Sequence, residues 1–546
     1  MGWTTHEVTN QVPDLGDYNL YLTDKALQEA VQREGALWDE PALSCYGKQL
    51  GLKETAALAH DANRYKPELD VFDRTGNRLD RVRFHPAWHH FMHMAFAQGM
   101  HSSAWSDPRP GGQVARAAAY LLHGQIEAGS LCPITMTSAA IPILQKEPLF
   151  DSIRPQLYSR QYDQRDLPVS QKTSMMIGMG LTEKQGGSDL RANTTYACPL
   201  GAGGRGQVYR LTGHKWFFSS PMSDAHLVLA GHEQQFSCFY VPRWHPDGHK
   251  NSVYIQRIKN KMGNVSNSSV EVEFKDAWGL LVGEPGRGIV TLVKMAGYTR
   301  LDCILGSTAL LRQALVQAMH HARQRSAFGK PLIEQPLMRS VLMDLALESE
   351  AATVLSLRLA RAFESSDDLL DQAYRRVLTP AAKFWVCKRT IAATAECMEV
   401  WGGNGYIEEG PMPRLYREAP VNSIWEGSGN IMCLDVLRAL KRQPELADIL
   451  GKTLISDSAD EPLLSASARQ LVAVMGDSNA VHDALARYVA QDLVLLVQAG
   501  LLRRHASQAV ADTFIQTRFG GRGGRVFGVM AAKPVTTAIL QRAWMP

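Results

Sequence analysis

Along this chain the spacing of apolar residues changes twice, and that change limits the possible folds more than any single motif does. From about residue 20 to 145 apolar residues recur at helical intervals, broken by turn-rich stretches. Thr23 stands before Leu27, Ala30, Val31 and Glu34, the pattern of a capped amphipathic helix, and a second helix is predicted over 114–128, behind the loop Pro108, Pro110, Gly111 and Gly112. From about 176 to 285 the pattern becomes short runs of β-branched and aromatic residues separated by glycine turns, and Val270-Glu271-Val272-Glu273-Phe274 alternates with period two. Helical spacing then returns over 307–325, 336–365 and 369–400, followed by the turn Gly402-Gly403-Asn404-Gly405. Pro444 opens a further helical segment that reaches the end of the chain. The expected class is α+β, multidomain and mostly α: a helical domain (1–178), a small antiparallel β domain (179–285), a helical bundle (286–443) and an additional helical domain (444–546).

With 546 residues the chain exceeds what one hydrophobic core normally holds. A net charge of +4 is small for that length, so any nucleic-acid surface must be a local patch. The eight cysteines are scattered, with no CxxC pair, which suits reduced thiols and argues against a structural zinc site. The N-terminus has no basic start followed by an apolar run, and no stretch is read as approaching the roughly 20 apolar residues that span a bilayer. The expectation is a cytoplasmic protein with no membrane partner and no bound metal.

Thr182-Glu183-Lys184-Gln185-Gly186-Gly187-Ser188-Asp189 opens the β domain. Paired glycines flanked by hydroxyl side chains can bring backbone N–H groups against an anionic or carbonyl-rich ligand, and equally can form a plain β-turn. The loop lacks the Gly-Lys-Ser/Thr ending of a Walker motif. His85, His89 and His93 share a helical face, but Pro86 interrupts the run and no carboxylate accompanies them, so a structural role is expected. Gly283-Glu284-Pro285-Gly286-Arg287-Gly288 reads as a turn entering a helix.

Four motifs in order resemble the acyl-CoA dehydrogenase flavoproteins. They are Thr182 to Asp189; Lys215-Trp216-Phe217-Phe218-Ser219; Arg323-Gln324-Arg325-Ser326-Ala327-Phe328-Gly329-Lys330; and Trp401-Gly402-Gly403-Asn404-Gly405-Tyr406 with Ile424-Trp425-Glu426-Gly427-Ser428-Gly429-Asn430. The whole chain is most similar to the AidB-type, adaptive-response branch linked to DNA alkylation. That likeness includes Arg83-Phe84-His85-Pro86-Ala87-Trp88 and 128–137, and it extends to the added C-terminal segment.

The resemblance implies FAD as cofactor. Met179, Gly180, Leu181, Thr182, Glu183, Lys184, Gln185, Gly186, Gly187 and Ser188 would contact the flavin and pyrophosphate. Phe217, Phe218 and Ser219 would line the ring, and Ile424, Trp425, Gly427, Ser428, Gly429, Asn430 and Leu434 would complete the site. Arg325, Phe328 and Gln335 would serve the FAD of a neighbouring subunit in a homotetramer, while Ser219 and Arg300 would meet an acyl-CoA thioester. Two positions depart from the family pattern: Phe217 replaces a common Trp, and Glu399 a common Gln.

Dehydrogenating an acyl thioester needs a base for the α proton beside the hydride acceptor. By the resemblance that base is Glu426; the alternative position, before the Arg300-Leu301 pair, holds Thr299, which is no base at neutral pH. A Glu at this place can also serve merely to hydrogen-bond a helix N-terminus.

After Gly500, Arg503, Arg504, Arg518, Arg522 and Arg525 outnumber the acids and could neutralise phosphates, or form an ordinary solvated face. The resemblance implies double-stranded DNA binding through this segment, protection or repair of alkylated DNA, and weak activity on branched short acyl-CoAs such as isovaleryl-CoA. The alternatives are a catabolic short- or branched-chain acyl-CoA dehydrogenase with no DNA role, and a protein that keeps FAD as a structural element.

Overall fold

The computed structural model describes residues 5–364, 367–476, 483–521, 526–530 and 536–545. The chain folds as two compact units. One comprises Ala57–Gly112 and Glu127–Asp302, the other Met1–Ala56, Gln113–Ile126 and Cys303–Pro546.

In the first unit β1 (Glu68–Phe72) and β2 (Arg78–Arg83) form an antiparallel hairpin. Seven strands make the main sheet: β3 (Ile177–Gly180), β4 (Tyr196–Pro199), β5 (Val208–Ser219), β6 (Ala225–His232), β7 (Gln235–Pro242), β8 (Val253–Ile258) and β9 (Ser269–Val282). Their order is β3-β6-β4-β5-β9-β7, with β8 on β9, and β7 pairs back to β6, so β6, β4, β5, β9 and β7 close a ring. Alternating side chains from these strands fill its interior, among them Tyr209, Leu211, Phe218, Val228, Phe239, Val270, Val272 and Phe274.

The sheet corrects the expectation of a purely antiparallel domain, because β3 and β4 run parallel to β6. Parallel pairing requires a crossover connection, and the chain between β3 and β6 is long enough to return to the starting end. The β1–β2 hairpin is a further difference from the helical reading of 20–145. The helix Leu131–Leu144 is apolar on nearly all sides and almost wholly buried. Its Thr137 Oγ1 accepts from the Ile177 N–H at 3.0 Å, which fixes where β3 begins.

Long helices build the second unit. Gly288–Gln324 runs into it, and Pro336–Ala362, Thr379–Val400 and Gly429–Arg442 follow. A π turn over Tyr374–Leu378 interrupts the helix expected across 369–400. The cap of the first helix, Lys25–Arg33, is Asp24, whose carboxylate accepts from Leu27 N–H at 3.1 Å; the Thr23 hydroxyl instead donates to Asn19 O.

After Pro444 come Pro444–Ser458, Pro462–Gly476, Ala486–His505, Gln508–Phe519 and Thr536–Ala543. The expectation that no stretch could span a bilayer is corrected here: Asp483–His505 has the length and apolarity to do so, yet 72% of its apolar 18-residue window lies buried, as in a core helix. Described residues near the chain end are packed. Trp544 is buried under the Arg323 guanidinium, 4.7 Å from the ring centre, and Arg542 pairs with Glu29 and Glu350.

Candidate functional site

The glycine-rich loop of the first unit is built over a buried ion pair. Glu183 and Lys215 meet at 2.7 Å with both side chains fully enclosed. The Glu183 carboxylate also accepts from Thr194 N–H at 2.7 Å, Thr195 N–H at 3.2 Å and the Gln185 amide at 2.7 Å. Burial opposes its ionisation, but Lys215 and these donors outweigh burial, and the carboxyl titrates at about 2. Burial pushes the Lys215 ammonium down to about 8, against the pull of Glu183. Backbone bonds between Glu183 and Gly186 close a tight turn, and Thr182 O accepts from Trp216 N–H at 2.8 Å, tying the loop to β5. Lys184 N–H is bonded to the His214 ring, while Gly187 and Ser188 are left at the surface.

A β-bulge in β5 sets which side chains face outward. Lys215 pairs with Val272 and Phe218 with Val270, so two residues, Trp216 and Phe217, oppose the single Glu271 on the other strand. Lys215 and Phe218 therefore both point inward, and Trp216 and Phe217 both point away from the interior. The Lys259 ammonium lies 3.5 Å from the centre of the Trp216 ring and 4.6 Å from that of Phe217, which is half exposed. This corrects the expectation that the Phe218 side chain lines the flavin: it stacks on His226 at 3.7 Å inside the barrel. That stack also explains the glycines of β3. A Cβ at Gly178 would lie 2.3 Å from the His226 ring, and one at Gly180 2.9 Å from Phe218. Met179, Leu181 and Thr182 remain partly open, and Ser219 Oγ shares a 2.9 Å hydrogen bond with Ser269 Oγ. Arg300 is half-buried on its helix, next to a buried Thr299 whose hydroxyl donates to Ala296 O.

In the second unit the helix Met412–Asn422 ends at a turn holding the other signature. Trp425 Nε1 donates to Asn422 Oδ1 at 3.0 Å. Glu426 has φ +59°, a left-handed backbone that costs a non-glycine residue of order 1 kcal/mol or more, and Gly427 follows at φ +107°. The buried Lys383 donates to Gly427 O at 2.8 Å and holds the turn. Ser428 then opens the helix Gly429–Arg442 without a side-chain capping bond among the described residues, so the positive end of the helix has no such cap, and Lys388 lies beside Gly429. Asn430 is exposed, and its Oδ1 accepts from Arg487 Nε at 2.9 Å. Ile424 is also exposed and Leu434 half-buried. This donor set suits a phosphate: unused helix N–H groups, a hydroxyl and nearby cations.

Elsewhere in that unit, Ser326–Ala327 and Lys330–Pro331 form a small hairpin whose tip presents Phe328, 98% exposed with φ +53°. Arg325 donates to Asn10 O, and the Gln335 amide to Ala327 O at 3.1 Å. Glu399 is exposed on the helix Thr379–Val400.

The C-terminal arginines divide. Arg518 is buried and donates to Asp344 at 2.7 Å and Glu348 at 2.9 Å, with Arg389 also on Glu348. That corrects its expected place on DNA, because its charge is spent on two carboxylates. Arg503 donates to Asp457 O at 2.6 Å and Arg504 to the Asp457 carboxylate at 2.5 Å, the latter partly exposed. Arg522 and Arg525 lie outside the described residues.

Sequence reasoning missed Lys383, Arg487 and the pairing of Glu183 with Lys215. The last left a signal, since Lys215 sits in a strand between interior apolar residues and a buried lysine needs a carboxylate. Of the noted histidines, His85 caps the helix Pro86–Ala97 through Ala87 N–H, and the His89 ring bonds Tyr162 OH at 3.0 Å.

Comparison with known proteins fits this architecture. Residues 10–164 match the adaptive response protein AidB N-terminal domain, 178–277 the acyl-CoA dehydrogenase middle domain, and 286–441 the acyl-CoA dehydrogenase C-terminal domain. The fold and domains are those of FAD-dependent oxidoreductases that act on CH–CH bonds. The chain belongs to the acyl-CoA dehydrogenase family, in the branch that carries the AidB N-terminal domain. It is 49% identical to AidB of Escherichia coli (strain K12), an acyl-CoA dehydrogenase by name, over 100% of this chain and 99% of that one. In fold it resembles Caenorhabditis elegans ACDH-11 in complex with C11-CoA (TM-score 0.83, 24% identity, covering 94% of this chain and 93% of that one). A Bacillus anthracis acyl-CoA dehydrogenase complexed with FAD gives a TM-score of 0.65 at 18% identity, covering 86% of each chain.

Proposed function

We propose that this chain binds FAD and oxidises a short or branched acyl-CoA thioester, with Glu426 as the base that takes the α proton. The observation that carries the reading is the left-handed backbone of Glu426. Asp80 and Asp276 share such a backbone, and at Glu426 it bears on function because the residue lies in a family signature, on a turn that Lys383 fixes. FAD, when bound, supplies the hydride acceptor. In the first unit Met179 to Ser188, Phe217 and Ser219 offer contacts to FAD, and in the second Ile424 to Asn430 with Leu434 offer contacts of their own. Arg300 and Ser219 would hold the thioester. Under anaerobic conditions isovaleryl-CoA should bleach the bound flavin, and Glu426→Gln should slow bleaching by roughly 10²–10⁴-fold while FAD stays bound. Unchanged bleaching would move the base to another residue.

The finer part of the proposal is a homotetramer in the cytoplasm that binds double-stranded DNA and protects or repairs it during alkylation damage. Full-length likeness to AidB and the match to an adaptive-response domain support the response. The DNA surface then rests on Arg503 and Arg504 together with Arg522 and Arg525. The second reading, a catabolic dehydrogenase without a DNA role, is favoured by the burial of Arg518, which removes one cation from that surface.

A further inference from the structure

From the hairpin that joins β7 to β8 we infer a binding site for a divalent transition cation, formed by His245, Asp247 and His249. Backbone pairing makes the two histidines cross-strand neighbours. Trp244 pairs with Lys250, His245 N–H donates to His249 O at 2.8 Å, and Gly248 N–H donates to His245 O at 2.9 Å. Pro246 and Asp247 form the tip, and Gly248, at φ +89°, takes the left-handed conformation that lets the strand return. The two imidazole rings lie 4.4 Å apart and nearly parallel, at 18°. Asp247 Oδ2 is 3.2 Å from His245 Nδ1, and one donor atom from each of the three residues falls within 4.8 Å of the others.

The hairpin is fixed at its base, so the donors are presented on a rigid support. One carboxylate, Asp166, accepts from Arg243 through two nitrogens at 2.9 Å, from Trp244 Nε1 at 2.8 Å and from Lys250 Nζ at 2.7 Å. Arg243 further donates to Asp80 O at 2.7 Å and Lys250 to Leu79 O at 2.6 Å. At the tip, Asp247 and His249 are exposed, Asp247 N–H donates to His245 Nδ1 at 3.2 Å, leaving His245 Nε2 for a metal, and the His245 ring leans edge-on against Trp278. Turning the exposed His249 ring out of its stack on His245, with Asp247 following, would bring two nitrogens and one oxygen to the roughly 2.0–2.2 Å that zinc requires. Two imidazoles with one carboxylate select zinc, copper(II) or nickel over magnesium or calcium, and leave positions open to water. Scattered cysteines gave no sign of such a site, and the histidine run that drew attention in the sequence lies elsewhere.

The test uses the untagged, full-length protein with its flavin, freed of metal by a chelator and titrated with Zn²⁺ by calorimetry. The wild type should take up one equivalent that His249→Ala lacks, and that His60→Ala, an exposed histidine elsewhere, retains. Copper(II) paramagnetic resonance should show coupling to two imidazole nitrogens in the wild type and one in His249→Ala. Flavin content unchanged in His249→Ala would confirm that its fold is intact. Equal uptake by wild type and His249→Ala, or no stoichiometric uptake by the wild type, would overturn the site.

Discussion

Two buried charge clusters in this molecule look alike and serve different ends. Under the glycine-rich loop, Glu183 and Lys215 are joined across a strand and a turn within one unit, and their pairing shapes a loop that reaches the surface. Beneath the C-terminal tail, Arg518 joins Asp344 and Glu348 from far back in the sequence and holds a helix against the bundle, buried away from any ligand in solvent. The contrast teaches that an arginine near other arginines is not thereby a surface charge, and that a lysine inside a strand is not thereby an error. What decides is whether a carboxylate comes to meet it, and that is settled by tertiary packing.

The largest effect should come from breaking the second cluster. Arg518→Ala leaves Asp344 and Glu348 buried with less compensation and should lower unfolding free energy by about 3–5 kcal/mol in denaturant titration, with duplex affinity of the folded fraction unchanged. A small stability change with weakened DNA binding would reverse the roles assigned here. Glu183→Gln should destabilise somewhat less, by about 3 kcal/mol, and should loosen FAD. It also alters the acid limb. The folded Glu183 carboxyl titrates at about 2, below its ordinary value of 4.5, so it contributes stability above the unfolded pKa that is lost as pH falls toward 2. The variant should therefore show a shallower loss of stability below pH about 4.5 than the wild type, and parallel curves would refute the pairing. Arg503→Ala with Arg504→Ala should cost under about 1 kcal/mol, since the Arg504 pair is partly exposed, but should weaken duplex binding and flatten its dependence on salt. Unchanged affinity and slope would leave the catabolic reading.

Much of the fold was legible because periodicity reports burial directly. The runs at 208–211, 225–230, 236–241 and 270–274 all became strands of the barrel. The β1–β2 hairpin was not legible. Its second strand, Arg78–Arg83, is four-sixths charged and buries only one face, so its alternation is hidden by salt-bridged side chains. Parallel pairing of β3 with β6 leaves no local trace, because both are short apolar strands whose direction depends on the intervening chain. In the candidate site the motifs located the turns correctly, but not which side chains face out. The bulge in β5 shifts the alternation after Lys215, and no feature of Trp216-Phe217-Phe218 announces it. Arg487 was invisible for another reason: it reaches Asn430 from a helix more than fifty residues later.

The account stands most directly on flavin content. Protein purified under native conditions and scanned for oxidised-flavin absorbance should carry one FAD per chain, released as FAD on denaturation. A well-folded, colourless preparation that takes up no added FAD would contradict it.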